Sequence, residues 1–510
     1  MSLLGGLLVA LSAWLGGRAL LPSRSVLSRD AWEEQAVAYL AGAAALLVAA
    51  MALTCAGLPL RAPLVWGLLA AAALPGAWRV VRDFRGAERC AACALSGWQK
   101  ALLAVLGAGS VLVTLSLPLN EFDPILHFAL KAKVLFYGGD ILDPAFTGMV
   151  GPDGGPARVG RLMTHPNYPL GVPFLQAFAA HAGGRWDERW VQVPLAFWAL
   201  CLPAAVSFGL RAFGPGAQRW GALLAAATPA LYARNFLQDL LLGRGGEPVL
   251  AGLRGSTSLG SADLALAALL AGGCALLLRV RRQPCRRAAV AGGLCLAGMV
   301  LMKNEGLGLL AVLIAALALA ALLQRFRAWK PAALVLATAL LASAPWLVHR
   351  SRLPAIDENY TQQLAPGNIL AQLGAREPLE KTREGLTGEL DDASLANPPS
   401  RPATLLRVYF LEFLDVTTWG VLWLLFALCL PFRRGDPESR WLALFVLGGL
   451  ALYALVLLVT PWALDQLSET GIPDRLFLHV LAPVAMVAAL ALERSRRGPA
   501  TACVSAPRSV

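Results

Sequence analysis

Residues 101–140 read ALLAVLGAGSVLVTLSLPLNEFDPILHFALKAKVLFYGGD, an apolar run followed at once by a segment rich in charged and aromatic side chains. The apolar part is long enough to cross the hydrocarbon of a bilayer as a helix. The polar part begins with Glu121 and Asp123. Carboxylates at the mouth of a membrane helix are costly unless they meet water, a cation or a substrate. This stretch therefore predicts a membrane scaffold that presents a functional loop.

The composition of the whole chain agrees with a membrane protein. Of its 510 residues, 57% are hydrophobic and 15% are charged, and the mean hydropathy is +0.60. These values exclude an ordinary soluble globular protein. We therefore predict an all-α fold, a polytopic transmembrane helix bundle of about 13 spans. The apolar runs are 3–21, 36–58, 62–78, 101–119, 189–210, 219–236, 261–278, 288–302, 305–323, 331–348, 416–431, 441–460 and 476–492.

The distribution of charge predicts how the chain crosses the membrane. The net charge of +12 does not indicate nucleic acid binding, because Arg and Lys are concentrated in short connections between apolar runs. The positive-inside rule assigns these connections to the cytoplasm and the acidic ones to the opposite side. The first apolar run lacks a preceding basic region, so we interpret it as a retained span and not as a cleaved signal peptide. The basic connections are 79–100, 279–287, 325–330, 433–440 and 494–497.

These patterns divide the chain into five predicted parts. Three accessory transmembrane helices come first, and a larger membrane module follows that contains the extracytoplasmic loop 120–188. A second extracytoplasmic loop, a C-terminal group of membrane helices and a cytoplasmic tail complete the chain. The parts are 1–100, 101–348, 349–403, 404–492 and 493–510.

The first extracytoplasmic loop contains two predicted helices. The first runs from Pro124 to Tyr137, since proline is well placed in a first turn and no helix breaker follows before two glycines. Asp123, His127 and Lys131 recur every four residues and so share one stripe of this helix. The second, 167–182, is too short and too rich in proline for a span. We expect it to be interfacial or shallowly re-entrant, with His165 and Tyr168 just before or at its start.

Further candidate residues lie at the extracytoplasmic ends of later spans. Asp263 opens a helix, where it either complements the helix dipole or belongs to a site. The apolar run 288–302 is only about 22 Å long as a helix, so the turn that carries Lys303, Asn304 and Glu305 is expected at headgroup depth. A salt bridge between Lys303 and Glu305 would be the simpler explanation of that pair. Arg475 and His479 lie one helical turn apart at the last span.

The sequence gives little support for a metal site or for a reactive pair of cysteines. All five histidines, His127, His165, His181, His349 and His479, fall on or near the predicted outer face. No two have the spacing of a ligand pair, so we assign no metal ligands, although the co-location with acids leaves a divalent ion open. Cys90 and Cys93 have the spacing of a redox or metal motif, but no second pair is near them.

The ordered set of motifs resembles the GT-C superfamily of polytopic glycosyltransferases. The set comprises the carboxylates Glu121 and Asp123 after a membrane helix, HPNYP at 165–169, Arg234 with Asp239, KNEG at 303–306 and RLFLHVLAP at 475–483. The nearest groups in pattern are the protein O-mannosyltransferases and the lipid A aminoarabinose transferases. The resemblance covers roughly 101–492. The family's adjacent acidic pair is replaced here by Glu-Phe-Asp, which leaves open which carboxylate acts.

The resemblance implies inverting transfer of a sugar from a polyprenyl-phosphate donor. It implies an integral membrane protein of a bacterial inner membrane, with its active site on the extracytoplasmic side. Asp123, or second Glu121, would be the general base, and the acceptor would be a protein, a lipid or a glycan. From topology, Lys303, Arg475 and Lys131 are the candidates to hold the donor phosphate. The remaining candidates for substrate binding are His127, His165, Tyr168, Asp263, Asn304, Glu305 and His479.

Two other functions are compatible with the residues. The same outer carboxylates and membrane-edge charges could gate a transporter or flippase, and a purely structural membrane protein is a third reading. Transporters usually place such groups near the bilayer midplane and show internal repeats. The sequence shows neither feature clearly, so the transferase is the favoured interpretation.

The predicted topology can be checked by labelling single cysteines with a membrane-impermeant reagent. A cysteine at position 150 should be labelled from the extracytoplasmic side and one at position 283 only after the membrane is opened, because they lie in connections of opposite charge character. Labelling of both positions from the same side would contradict the topology and with it the location of the site.

Overall fold

The computed structural model describes residues 2–22, 32–85, 95–116, 124–141, 167–231, 262–323, 329–353, 363–377, 396–431, 437–464 and 472–497. Within these ranges the chain is helical and contains no β-strand, apart from one isolated bridge between Arg376 and Ser400. The predicted all-α class is confirmed. The structure does not test the division into five parts, which stays a prediction.

Among the described residues, the N-terminal half contains eight α-helices together with short 3-10 and π-helical segments. In chain order they are α1 (Ser2–Leu20), α2 (Trp32–Cys55), α3 (Ala62–Arg85), α4 (Gly97–Ser116), α5 (Leu130–Tyr137), α6 (Gly171–Gly183), α7 (Trp198–Leu210) and α8 (Pro215–Ala226).

The part of the C-terminal half that the structure describes contains eleven further α-helices. They are α9 (Ala262–Arg282), α10 (Arg286–Met302), α11 (Glu305–Leu323), α12 (Trp329–Arg350), α13 (Pro366–Gly374), α14 (Arg401–Leu414), α15 (Val416–Trp419), α16 (Leu422–Cys429), α17 (Pro437–Val459), α18 (Ile472–His479) and α19 (Leu481–Arg497).

Eight of the described helical segments are long and apolar enough to cross a membrane, and α18 with α19, bent by 54°, would make a ninth. The chain is therefore an integral membrane protein. The predicted number of about 13 spans is not confirmed. The eight segments are Ser2–Leu20, Trp32–Cys55, Ala62–Arg82, Trp190–Phe213, Ala262–Arg282, Glu305–Leu323, Trp329–Arg350 and Pro437–Val459.

Five expected spans are not among the eight, and one of them, 476–492, is covered by the bent pair α18 and α19. Helix α4 covers only 101–116 of the run 101–119, and the rest lies outside the described residues. Helix α8 stops at Ala226 after 12 residues. Helix α10 has 17 residues and ends where the backbone of Lys303 becomes extended. The run 416–431 is divided between α15 and α16 at Gly420, whose φ of +56° is a conformation that glycine adopts readily.

The first extracytoplasmic loop differs in detail from the prediction. The expected α-helix from Pro124 to Tyr137 begins as a π-helix, Pro124–Ala129, and becomes α-helical only at Leu130. Helix α6 has 13 residues, as its proline content suggested, but most of its side chains are buried inside the protein. Its position in the bundle fits a short re-entrant element better than a helix lying on the membrane surface.

Helix α9 lies at the centre of the bundle. Its membrane-length segment is entirely buried, as expected for a helix that is apolar on every side. Gly272 and Gly273 allow α10 to approach closely, because a Cβ on Gly273 would lie 2.5 Å from a methyl group of Leu296. Asp263 lies at the first turn of α9, and its last turn carries Arg279, Arg281 and Arg282. The two ends of the central helix therefore carry opposite charge.

The basic end of α9 is surrounded by buried ion pairs. Arg281 binds Glu438 of α17 at 2.9 Å. Nearby, Arg211 binds Glu34 at 2.7 Å and Glu33 at 3.3 Å, and both carboxylates are fully buried. Arg281 and Glu438 belong to connections that the sequence assigns to the cytoplasm. The structure gathers all five residues at the end of the bundle that is opposite Asp263.

Helix α6 packs directly on the end of α10. A Cβ added at Gly171 would lie 2.5 Å from the carbonyl oxygen of Leu301 and 2.8 Å from the sulfur of Met302. Tyr168 precedes this glycine by three residues, and Lys303 follows Met302 directly. The contact therefore couples the loop 120–188 to the turn that carries Lys303.

The substitution Gly171→Ala tests this contact. The added methyl must displace the backbone at Leu301, so we expect a loss of about 1–3 kcal/mol in the free energy of unfolding. The change is measured by unfolding of the purified protein in one detergent.

A matched control is Gly109→Ala in α4, where the added Cβ would meet no atom within 4 Å. It should be neutral or stabilising by about 0.5–1 kcal/mol, because alanine suits a helix interior better than glycine. Equal stability of the two variants would show that α6 does not press on α10.

Candidate functional site

The fully buried carboxylate of Asp263 is the centre of the candidate site. Its Oδ1 accepts a hydrogen bond from Lys303 Nζ at 2.8 Å, and its Oδ2 accepts one from Arg475 Nε at 2.8 Å. His479 Nε2 lies 2.8 Å from Oδ1. The three partners come from the end of α10 and from α18, so one side chain of α9 joins three helices.

The turn between α10 and α11 explains how Lys303 reaches this carboxylate. Helix α10 ends at Met302, and the extended backbone of Lys303 directs the chain into a tight turn closed by the bond from Gly306 N to Lys303 O, 3.0 Å. A Cβ on Gly306 would collide with the carbonyl oxygen of Met299, so the turn requires glycine. Glu305 opens α11 and also contacts Lys303 Nζ, at 3.1 Å.

Lys303 therefore has two acidic partners. The simpler explanation, a local pair with Glu305, is correct but incomplete, because the same ammonium group also binds Asp263. Burial by itself would lower the pKa of Lys303, but the two carboxylates outweigh burial and hold the pKa above its ordinary value. The side chain is thus a permanent cation.

Helix α18 supplies the other two donors on one face. Arg475 and His479 are four residues apart and so lie one above the other on the helix. The chain bends by 54° directly after His479, which ends α18 at the depth of Asp263. The His479 ring is completely buried, whereas the side chain of Arg475 is 25% exposed.

Tyr453 of α17 completes the network, and the sequence reading missed it. Its hydroxyl lies 2.8 Å from His479 Nδ1, and it is also fully buried. In the neutral imidazole, Nε2–H donates to the Asp263 carboxylate, and Nδ1 accepts the tyrosine hydroxyl. The available signal was a tyrosine inside the apolar run 441–460, because a buried hydroxyl needs a partner.

The formal charges of the cluster balance one another. Two cations, Lys303 and Arg475, are paired with two carboxylates, Asp263 and Glu305. Ions removed from water are costly unless their geometry and hydrogen bonds are good. Here Asp263 meets that condition with three donors. Because Arg475 and Glu305 are each 25% exposed, the cluster opens to the outside at one edge.

A second cluster forms around Tyr168. Lys131 Nζ donates to the carbonyl oxygen of Tyr168 at 2.9 Å and lies 5.9 Å from the centre of its ring. The His127 ring packs edge-on against the same tyrosine, with ring centres 5.0 Å apart. Burial lowers the pKa of the Lys131 ammonium to about 7. This lysine is therefore poorly suited to be a permanent cation for a phosphate group.

The structure groups the predicted site residues unequally. It brings Asp263, Lys303, Glu305, Arg475 and His479 into one cluster, whereas His127, Lys131 and Tyr168 form the other. Asn304 lies in the turn beside Lys303, and its Oδ1 has no hydrogen-bond partner within the part of the chain that the structure describes. Asp123, Glu121 and His165 lie outside the described residues. Their predicted roles are untested.

The described residues contain no candidate metal site. Within those ranges, no group of three or more His, Cys, Asp or Glu side chains could hold an ion. The histidine that contacts Asp263 uses its second nitrogen for Tyr453, so this cluster has the character of a hydrogen-bonded network.

No protein-family model matches the sequence, and no curated protein matches it. Solved structures do resemble the fold. ArnT from Cupriavidus metallidurans in the apo state shares 15% identity with a TM-score of 0.45, over 78% of this chain and 60% of that one. The archaeal oligosaccharyltransferase AglB from Archaeoglobus fulgidus, in complex with an inhibitory peptide and a dolichol-phosphate, shares 14% identity with a TM-score of 0.43, over 78% and 50%.

A second structure of the Archaeoglobus fulgidus oligosaccharyltransferase, tethered to an acceptor peptide, shares 14% identity with a TM-score of 0.41, over 78% of this chain and 49% of that one. The chain thus spans between half and two thirds of the length of these proteins. The inhibitory peptide, the acceptor peptide and the dolichol-phosphate named here belong to those proteins.

Proposed function

We propose that this chain is a membrane glycosyltransferase of the GT-C type that moves a sugar from a polyprenyl-phosphate donor to an acceptor on the extracytoplasmic face. The observation that carries the proposal is the joint attachment of Lys303 and Arg475 to the buried carboxylate of Asp263. Two fixed cations at the end of a helix bundle suit the phosphate of a lipid that arrives within the bilayer.

The two cations have complementary properties for such a phosphate. Arg475 uses its Nε for Asp263, and a guanidinium has further N–H donors in a planar fork that matches phosphate oxygens. Lys303 acts as a compact point charge beside it. Neither has to be reorganised when the donor binds, because Asp263 already fixes both. Preorganised cations stabilise the charge that develops on a leaving phosphate.

The proposed reaction is a single inverting displacement. Asp123, or second Glu121, takes the proton of the acceptor hydroxyl as general base. The acceptor oxygen attacks the anomeric carbon from the face opposite the phosphate, so one C–O bond forms as the bond to the phosphate oxygen breaks. The polyprenyl phosphate leaves with the bonding electrons, and Lys303 and Arg475 hold its negative charge.

The remaining candidate residues would act around the general base and the phosphate-binding cations. His127, His165 and Tyr168 belong to the loop that also carries the proposed base, and the contact of Gly171 with Leu301 supports a short path from this loop to Lys303. Glu305 and Asn304 flank Lys303 and would contact the donor. Asp263 and His479, both fully buried, would act by holding the cations and not by touching the substrate. The acceptor stays open between a protein, a lipid and a glycan.

A transporter is the second candidate, and one observation favours it. Tyr453, His479 and Asp263 form a continuous buried chain of hydrogen bonds, which is an arrangement that proton pathways use. Tyr453 lies within the membrane-length helix α17, whereas Asp263 lies at the end of α9. Position at a helix end fits a headgroup-level site better than a midplane path.

The test offers the purified protein in lipid either a polyprenyl-phosphate sugar or the matching nucleotide sugar, with a membrane extract as the source of acceptor. Transfer should occur from the lipid-linked donor. Arg475→Lys should lower donor use about tenfold or more despite its retained charge, because the bidentate fork is lost, and Lys303→Ala should do the same.

Two variants serve as matched controls, Lys133→Ala for the loss of a charge and Arg189→Lys for the exchange of an arginine for a lysine. Lys133→Ala and Arg189→Lys alter exposed side chains away from the cluster and should leave transfer unchanged.

Asp123→Asn should abolish transfer while binding of polyprenyl phosphate persists, and Glu121→Gln should be milder. Transfer from the nucleotide sugar alone, or donor use unaffected by the changes at Lys303 and Arg475, would exclude this mechanism. Substrate uptake into vesicles without transfer would favour the transporter.

A further inference from the structure

Three aromatic rings at the basic end of the bundle each carry an arginine. Phe208 in α7, Phe213 in the turn that follows and Trp220 in α8 belong to consecutive elements. The guanidinium carbons of Arg279, Arg282 and Arg496 lie 5.2, 4.0 and 4.9 Å from the respective ring centres. The arginines come from the last turns of α9 and α19, and these helices pack on α7 and α8 respectively. We call these six residues the arginine–aromatic surface.

The innermost arginine of this surface has an unused donor. Arg279 is only 8% exposed, and its Nε has no hydrogen-bond partner among the described residues. Glu33 and Glu34 both bind Arg211, and Glu34 also stabilises the charged form of Arg279. Arg279 therefore belongs to the buried charge network behind the surface, and the two outer arginines are the ones that a ligand can reach.

The two outer arginines are exposed and lack acidic partners. Within the described ranges, Arg282 and Arg496 make their identified contacts with aromatic rings and form no ion pair. A guanidinium stacked on a ring keeps its N–H groups in the plane of the stack, directed away from the ring face. These donors therefore stay available to oxygen atoms of a third group. By contrast, Arg281 in the same turn of α9 is fully occupied by Glu438.

We propose that the arginine–aromatic surface binds the phosphate headgroup of an anionic phospholipid. Arg282 is the last residue of the membrane-length helix α9, which places the surface at headgroup depth on the face assigned to the cytoplasm. Basic pockets between membrane helices on that face suit anionic headgroups. The site lies at the opposite end of α9 from Asp263, so it is independent of the proposed transferase function.

The test is native mass spectrometry of the purified protein with phosphatidylglycerol, phosphatidylcholine or soluble glycerol 3-phosphate. Phosphatidylglycerol should be retained in preference to phosphatidylcholine. The double change Arg282→Gln with Arg496→Gln should lower that retention about tenfold or more, since each arginine contributes a headgroup contact. Both side chains are exposed, so the variant should fold, and its elution on size exclusion checks this.

The control removes the same charge nearby. Arg286→Gln with Arg287→Gln alters two exposed arginines at the start of α10, and it should reduce retention far less. An equal effect of the two double variants would reduce the observation to general electrostatic attraction and overturn the site. Equal retention of phosphatidylcholine would also overturn it. Displacement of the lipid by low concentrations of glycerol 3-phosphate would assign the surface to a soluble phosphate compound instead.

Discussion

A completely buried carboxylate must be neutralised where it lies, and much of this structure follows from how Asp263 is neutralised. Removing one partner from a buried ion pair typically costs about 3–5 kcal/mol. Asp263 has three partners, and they come from the end of α10 and from α18. Helix α10 therefore has to end at Lys303, and α18 has to bend away after His479. The short helix α10 and the bend after α18 thus both follow from the need to neutralise the Asp263 carboxylate.

The network also explains why a tyrosine is tolerated inside an apolar helix. Tyr453 is buried in α17, where an unpartnered hydroxyl would be costly. Its bond to His479 leaves the opposite imidazole nitrogen to donate to Asp263. The central helix α9 thus separates two kinds of electrostatic environment. One end presents two cations held by buried Asp263, and the other presents several arginines held by aromatic rings and by buried carboxylates.

The apolar runs and the charges at their ends could be predicted from the sequence, because the length and hydropathy of a run indicate whether it crosses a membrane. The run 288–302 predicted a short helix ending at Lys303, and α10 has that form. The pairing of Asp263 with its three partners could not be predicted from the sequence. Asp263 and its partners are 40, 212 and 216 residues apart, and no periodicity carries such information. Nothing in the periodicity distinguished Tyr453 from an ordinary buried aromatic residue.

Local geometry accounts for the remaining differences. The break at Gly420 depends on a positive φ, which the surrounding apolar residues concealed. From the sequence, Lys131 is a candidate to hold the donor phosphate and His127 a candidate to bind substrate, and both roles stay predictions. The structure directs Lys131 to the carbonyl oxygen of Tyr168, and the packing of this segment on α6 buries both side chains. Burial of a side chain against another helix is a tertiary property that a single segment does not show.

The central claim is that the Asp263 carboxylate holds Lys303 in place, and a double-mutant cycle of unfolding free energies tests it most directly. The cycle uses Asp263→Asn, Lys303→Met and the double variant in one detergent. The account predicts that Lys303→Met costs much less when Asp263 is already Asn, with a coupling energy of at least about 1 kcal/mol. Additive losses, within about 0.5 kcal/mol, would show that the two side chains do not depend on each other and would contradict the account.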